Sequence, residues 1–400
     1  MKAIIEKSYA CGTALAPPSK SYAHRLLICA ALALGNSVID GIFESDDMEA
    51  TLGCLSSIGA SYTKTGDRVS VNGGISKKNE QIILNCNESG STLRYFIPIA
   101  LLTGAECIFT GTEKLMSRGI SVYEEIFKSQ NITFTKETDK ISLKGNLKPG
   151  IFNVRGDISS QFISGLLFAL PLLEGDSTIN ITTDLESASY VDITIDALKQ
   201  FGIEIQREEN AFFIKGNQKY SSINARVEGD YSNSAFLDAF NFLGGDVDVF
   251  GLNECSYQGD KIYKRYFEMI NSGTPTLDIS NCPDLGPVLF TLAALKNGAT
   301  FTGTKRLKIK ESDRAEAMRQ ELCKLGVKLD VDENTVRVYN GAHLPNEALF
   351  GHNDHRIVMA LTLALTQLGG EIEGCEAVSK SYPTFFDEIS RLGIKVKVTL

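Results

Sequence analysis

Two kinds of apolar segment alternate along the chain. The first is apolar on every face, as in Leu26-Leu27-Ile28-Cys29-Ala30-Ala31-Leu32, Phe96-Ile97-Pro98-Ile99-Ala100-Leu101-Leu102 and Ile357-Val358-Met359-Ala360-Leu361. A helix of this sort belongs inside a core, because it has no face suited to water. Six such runs open on a polar or charged cluster: Ser19-Lys20-Ser21, Ser89-Gly90-Ser91-Thr92, Asp157-Ile158-Ser159-Ser160, Asp230-Tyr231-Ser232, Pro283-Asp284 and Asn353-Asp354-His355-Arg356. Ser, Thr and Asp are preferred helix N-caps, and helix N-termini attract anions. Six buried helices that begin alike predict anion-binding ends collected at one cleft, an enzyme-like arrangement.

The second kind is amphipathic, with apolar residues at three- and four-residue steps and a glycine stop. Asp47 to Leu52 runs on to Gly59, Asp192 to Leu198 to Gly202, Arg314 to Met318 to Gly326, and Phe385 to Ile389 to Gly393. After several of these stops the period changes to two. Ser61-Tyr62-Thr63-Lys64 with Arg68-Val69-Ser70-Val71 reads as a hairpin, as do Ile132 to Thr135 with Ile141 to Leu143, and Val327 to Asp330 with Val336 to Val338. The unit is strand, buried helix, strand, amphipathic helix, hairpin. Its openings near 21, 91, 159, 232, 284 and 354 recur at roughly 70-residue steps, with one short interval. The predicted fold is α/β: two pseudo-symmetric domains, each of three βαβαββ-type repeats around buried helices, an inside-out α/β barrel. Ala16-Pro17-Pro18 and Ser221 to Arg226 are the expected crossings between the halves.

Composition agrees with two domains. The chain has 400 residues, 43% hydrophobic and 22% charged, and a net charge of -9. That balance argues against nucleic-acid binding through a general basic face, though a local cationic cleft would stand out within it. Nine scattered cysteines without a C-x-x-C pair read as reduced cytoplasmic thiols, with Cys29 and Cys323 acting as small hydrophobes in helices. The four histidines lack metal-ligand spacing, so no metal is expected. The N-terminus has no signal-peptide core, and apolar runs such as Leu166 to Leu170 break early, here at Pro171 and Glu174, so no membrane span is expected.

The candidate chemistry sits at the helix openings. Ser21 can cap a helix while Lys20 and Arg25 add charge beside it, which suits a phosphate or carboxylate; a capped helix with two solvated cations fits the same residues. Lys310-Glu311-Ser312-Asp313-Arg314 can cap a helix through Ser312 and Asp313, leaving Lys310, Glu311 and Arg314 at its mouth, or can be an exposed charged helix start. Asn353-Asp354-His355-Arg356 puts four polar residues where a buried element meets solvent. Lys380, taken alone, reads as a solvated lysine. Asp284 reads as an N-cap that could also accept a proton from a bound hydroxyl. Ser159-Ser160-Gln161 suits a polyhydroxylated anion.

Taken in order, these motifs resemble the 5-enolpyruvylshikimate-3-phosphate synthase (3-phosphoshikimate 1-carboxyvinyltransferase) family of enolpyruvyl transferases. The resemblance runs through Pro18 to Ser21 with Arg25, Glu88 to Arg94, Gly156 to Gln161, Val227 to Asp230, Gln258-Gly259-Asp260, Pro283-Asp284, Lys310 to Arg314 and Asn353 to Arg356. It implies transfer of the enolpyruvyl group of phosphoenolpyruvate to the 5-hydroxyl of shikimate 3-phosphate, by addition and elimination, in aromatic amino-acid biosynthesis. It implies no metal or organic cofactor, small-molecule partners only, a monomer, and a glyphosate target. Matched by motif, Lys20, Ser21, Arg25, Ser159, Ser160, Gln161, Ser187, Asp284 and Lys310 would contact shikimate 3-phosphate. Lys20, Gly90, Arg118, Gln161, Arg314, Arg356 and Lys380 would hold phosphoenolpyruvate. Asp284 would take the hydroxyl proton, while Glu311 and Lys20 would manage protonation of the enol carbon. Residues 1–18 plus 227–400 would carry the phosphoenolpyruvate-binding cations, residues 19–226 most shikimate 3-phosphate contacts, with the active site in the cleft between.

Three positions depart from the family's commonest pattern: Glu88 stands where many members have Asn, Gly119 follows Arg118 where Pro is usual, and Arg306 sits near a position often Asn. They bear on the shape of the phosphoenolpyruvate pocket. The sister UDP-N-acetylglucosamine enolpyruvyl transferase uses a loop cysteine, and Glu113 to Arg118 contains none. A non-catalytic anion-binding protein on the same fold would not need Asp284, Glu311, Lys20 and Lys380 together.

Overall fold

The computed structural model describes residues 1–78 and 80–399. The chain divides into two compact units, Met1–Pro17 with Gly229–Leu400, and Pro18–Glu228. Each has its own apolar core.

In the Pro18–Glu228 unit, the helices Lys20–Leu32, Gly90–Ala100 and Ser160–Ala169 are almost wholly buried. The other unit does the same with Tyr231–Phe242, Gly286–Leu295 and His355–Leu368. These are the six runs apolar on every face. The amphipathic helices Asp46–Ser57, Ala188–Gln200, Arg314–Lys324 and Phe385–Arg391 end at the expected glycines. The three expected hairpins form as Ser61–Thr65 with Arg68–Gly73, Thr133–Lys136 with Lys140–Lys144, and Leu329–Val331 with Thr335–Val338.

Among the described residues, five sheets repeat one pattern: a parallel pair followed by two antiparallel neighbours. In the Pro18–Glu228 unit, Asn224–Arg226 pairs parallel with Gly35–Asp40, which continues antiparallel to Arg68–Gly73 and then Ser61–Thr65. The first repeat therefore takes its opening strand from the far end of the unit. In the other unit Lys2–Ile5 lies antiparallel between Gly370–Glu373 and Val396–Thr399. The sixth sheet is only the parallel pair Cys11–Leu15 and Asp246–Phe250. That repeat, headed by Tyr231–Phe242, lacks its hairpin, which is the physical reason for the short interval. The ladders are separate sheets rather than one closed barrel.

One packing detail bears on the site. Pro98 lies inside Gly90–Ala100, so the Arg94 carbonyl lacks the amide donor it would normally find four residues on. Tyr123 supplies one from outside, its hydroxyl donating to Arg94 O at 2.7 Å and lying 3.1 Å from Phe162 O. The two central helices are pinned side by side at their polar ends. Among the described residues, no helix is long and apolar enough to cross a membrane.

Candidate active site

In the unit holding both termini, three helix starts deliver charge to one place, and a fourth, that of Tyr231–Phe242, supplies Asn233. Asp284 lies in the short turn Pro283–Leu285 ahead of Gly286–Leu295. It is not the N-cap the sequence suggested, because Leu285 occupies that position. Its carboxylate points instead to cations: Oδ1 accepts Lys310 Nζ at 3.0 Å and Arg314 Nη1 at 2.8 Å, and Oδ2 lies 3.9 Å from Arg356 Nη2. Arg314, 1% exposed, reaches Glu311 at 2.8 Å and Asp354 at 2.9 Å.

Asp354 organises the cluster. It is fully buried, accepts Ser312 Oγ at 2.9 Å, and caps its own helix by accepting Arg356 N at 2.9 Å. Ser312 is thus spent on Asp354, and Asp313 alone caps Arg314–Lys324. Arg356 donates Nη1 to Asn233 Oδ1 at 2.9 Å and lies over the Phe236 ring. Asp354, His355 and Arg356 are buried, not at the solvent boundary the sequence implied. Lys380 is no solvated lysine either: it is buried, with Nζ donating to Asn353 O at 2.9 Å.

The cluster's electrostatics divide its carboxylates. Burial pushes Asp284 upward, but Lys310, Arg314 and Arg356 outweigh it and hold the carboxyl well below the ordinary range. Asp260, from the Gln258-Gly259-Asp260 motif, goes the other way, to about 7, through burial first and then the charge of Asp284. Lys310 is lowered by burial, against the pull of Asp284.

The Pro18–Glu228 unit holds the second group. Ser19, not Ser21, is the N-cap of Lys20–Leu32. Lys20 Nζ pairs with Asp47 Oδ2 at 3.0 Å, both groups mostly shielded. Arg25 is not solvated: it donates to Thr194 Oγ1 at 2.7 Å, Ser21 O at 2.7 Å and Tyr190 O at 2.8 Å, with its guanidinium over Tyr95. Ser159 caps Ser160–Ala169 through Gln161 N. Gln161 bridges the two central helices, accepting from Arg94 Nη1 at 2.6 Å and donating to Ser91 Oγ at 2.9 Å. Ser187 is buried and left-handed, with φ of 55°, at the start of Ala188–Gln200. Arg118 lies so close to Gly90 that a Cβ there would be 2.9 Å from its Nη1. Gly119 then turns with φ of 76°, which a proline ring fixed near about -65° cannot adopt. The chain after Arg118 therefore follows a path that the family's usual Pro could not.

Asp47, Asn233 and Asp260 were given no site role from sequence, although Asp260 lies in one of the motifs that carry the resemblance. Asp47 hides among three acidic residues of a helix start, and Asn233 sits one turn past a cap. Cys323, read as a small hydrophobe, is exposed on its helix, while Cys29 is buried.

Comparison with known proteins decides the family. Residues 6–389 match the model of EPSP synthase (3-phosphoshikimate 1-carboxyvinyltransferase). A Clostridium kluyveri protein named 3-phosphoshikimate 1-carboxyvinyltransferase is 42% identical over 399 residues, covering 94% of each chain. The chain belongs to the EPSP synthase family. An EPSP synthase from Acinetobacter baumannii superposes with a TM-score of 0.79 at 21% identity, covering 100% of this chain and 99% of that one. The enolpyruvyl transferase NikO from Streptomyces tendae gives 0.77 at 13% identity, covering 99% and 98%. At those identities the two structures speak for the fold. Within the family, the chain is a transferase acting on small-molecule substrates.

Proposed function

We propose that this family member transfers the enolpyruvyl group of phosphoenolpyruvate to the 5-hydroxyl of shikimate 3-phosphate, releasing phosphate, in aromatic amino-acid biosynthesis. The observation that carries the site assignment is Asp284 enclosed by Lys310, Arg314 and Arg356 at the mouths of buried helices. Both substrates carry a phosphate and a carboxylate, so bringing them together needs clustered fixed cations. Arg314, Arg356 and Lys380, with Lys20, Gly90, Arg118 and Gln161, would hold phosphoenolpyruvate. Lys20, Ser21, Arg25, Ser159, Ser160, Gln161, Ser187, Asp284 and Lys310 would contact shikimate 3-phosphate.

In the addition, Asp284 takes the 5-hydroxyl proton as its oxygen bonds to C2 of phosphoenolpyruvate, while Glu311 or Lys20 delivers a proton to C3. Elimination then returns a C3 proton to the group that gave it and expels phosphate, which carries off the proton held on Asp284. Asp284 is a weak base while the cations hold it. Substrate anions against Arg314 and Arg356 would divert that charge and raise its basicity, so that the base forms only once the substrates are in place. The UDP-N-acetylglucosamine reading is disfavoured by the family match and by the cysteine-free Glu113 to Arg118 stretch. Nine free cysteines support a cytoplasmic location, and we take the working unit as a monomer.

The test is phosphate release with both substrates, beside a UDP-N-acetylglucosamine control. Release should require shikimate 3-phosphate. Asp284→Asn should lower kcat by about 10²–10⁴-fold; unchanged turnover would refute Asp284 as the base.

A further inference from the structure

Helix Arg314–Lys324 grips the stretch from Phe350 to Asp354 at two points, and only the first belongs to the cluster described above. At its front Arg314 binds Asp354. Seven residues on, two turns along the same face, Glu321 is 2% exposed. Its Oε2 accepts Phe350 N at 2.8 Å, its Oε1 accepts His352 Nε2 at 2.8 Å, and Lys324 Nζ lies 3.0 Å from Oε2. These partners outweigh the upward push of burial and keep the carboxyl below its ordinary range.

The segment so held is conformationally unfavourable. His352 and Asn353 have φ of 50° and 53°, consecutive left-handed residues that both carry a Cβ. Such geometry persists only where its surroundings over-determine it. Here it has two consequences: the Asn353 carbonyl faces Lys380 Nζ at 2.9 Å, and Asp354 is seated to cap the helix that bears Arg356.

We propose that Glu321 is a positioning residue for Lys380 and Arg356: by holding Phe350 N–H and the His352 ring it maintains the left-handed turn that aims both cations. It rests on the reading that these two cations hold phosphoenolpyruvate. Glu321 touches neither substrate in this arrangement and acts through the turn.

The experiment compares the full-length protein with Glu321→Ala, Glu321→Gln, His352→Asn and Lys324→Met in steady-state phosphate release. His352→Asn keeps a residue that tolerates the left-handed region but cannot span to Glu321 as imidazole does. Glu321→Ala should raise KM for phosphoenolpyruvate about tenfold or more, while KM for shikimate 3-phosphate stays within about twofold. Glu321→Gln, which keeps one acceptor, and His352→Asn should shift in the same direction by less. Lys324→Met removes a charge from the carboxylate without releasing the turn and should match the wild type. Wild-type KM values in Glu321→Ala, equal effects from Glu321→Ala and Lys324→Met, or both KM values rising together would overturn the proposal. Should Glu321→Ala fail to fold, Glu321→Gln and His352→Asn carry the same comparison. An inactive wild type would sink the reaction instead, and calorimetric titration of inorganic phosphate then decides: weaker binding in Glu321→Gln and His352→Asn than in Lys324→Met supports the positioning, and equal binding refutes it.

Discussion

At the residue scale, what matters is how each polar group is compensated. Asp284 and Asp260 are neighbouring carboxylates pushed in opposite directions, one by three cations and the other by burial beside a like charge. The linkage signs differ accordingly. Asp284 contributes stability above its unfolded value of 3.8, lost as pH falls through its depressed folded value. Asp260 does the reverse: its contribution is complete below 3.8 and is lost as pH rises to about 7. Asp260→Asn should therefore raise Tm relative to wild type by a few degrees at pH 8 and by less at pH 5. Thermal melts at the two pH values check this; the same gap at both would show that Asp260 does not titrate in that range. Gly90 makes a different kind of prediction. A Cβ there meets the end of a flexible Arg118 side chain rather than backbone. Gly90→Ala should fold with near wild-type stability but displace the guanidinium, raising KM for phosphoenolpyruvate about tenfold with little change for shikimate 3-phosphate. Equal effects on both substrates would remove Arg118 from the phosphoenolpyruvate side.

At the element scale, the central helix Lys20–Leu32 is gripped by the sheet of its own repeat. The strand Arg68–Gly73 ends against the last turn of Lys20–Leu32, where a Cβ on Gly73 would overlap the Ala30 and Ala33 carbonyl oxygens. Both obstacles are backbone, so nothing can rotate aside. Gly73→Ala should cost about 3 kcal/mol or more, or leave the protein insoluble, which urea unfolding or a solubility assay would show. A loss under about 0.5 kcal/mol would mean the strand end can shift away. The period-3.6 and period-2 segments were legible because burial selects apolar faces residue by residue. Cap identities were less so. Ser89, Ser159, Asp230 and Asp354 do cap, yet Ser21 and Asp284 do not, since a Ser or Asp near a helix start has the same sequence signature whether it binds the backbone or a distant cation.

At the scale of the whole molecule, the Pro18–Glu228 unit is continuous in sequence and closed by its own terminal strand, Asn224–Arg226, pairing beside Gly35–Asp40. With three complete sheets and a separate core it should fold alone. Residues 18–228 expressed by themselves should melt cooperatively and show no turnover, lacking Asp284 and its cations; the absence of a cooperative transition would show that this core depends on the rest of the chain. The sequence by itself determined the six buried helices, their amphipathic partners, the hairpins and the resemblance carried by ordered motifs, because each is written in local periodicity or in short runs. Only the tertiary structure decided which charges meet. Lys310 and Asp284 are 26 residues apart, Arg314 and Asp354 40, and Lys20 and Asp47 27. Burial of Arg25 and Lys380, the left-handed turn behind Glu321 and the opposed shifts of Asp284 and Asp260 likewise arise from long-range packing, which sets dielectric and charge proximity and leaves no mark in the spacing of neighbouring residues.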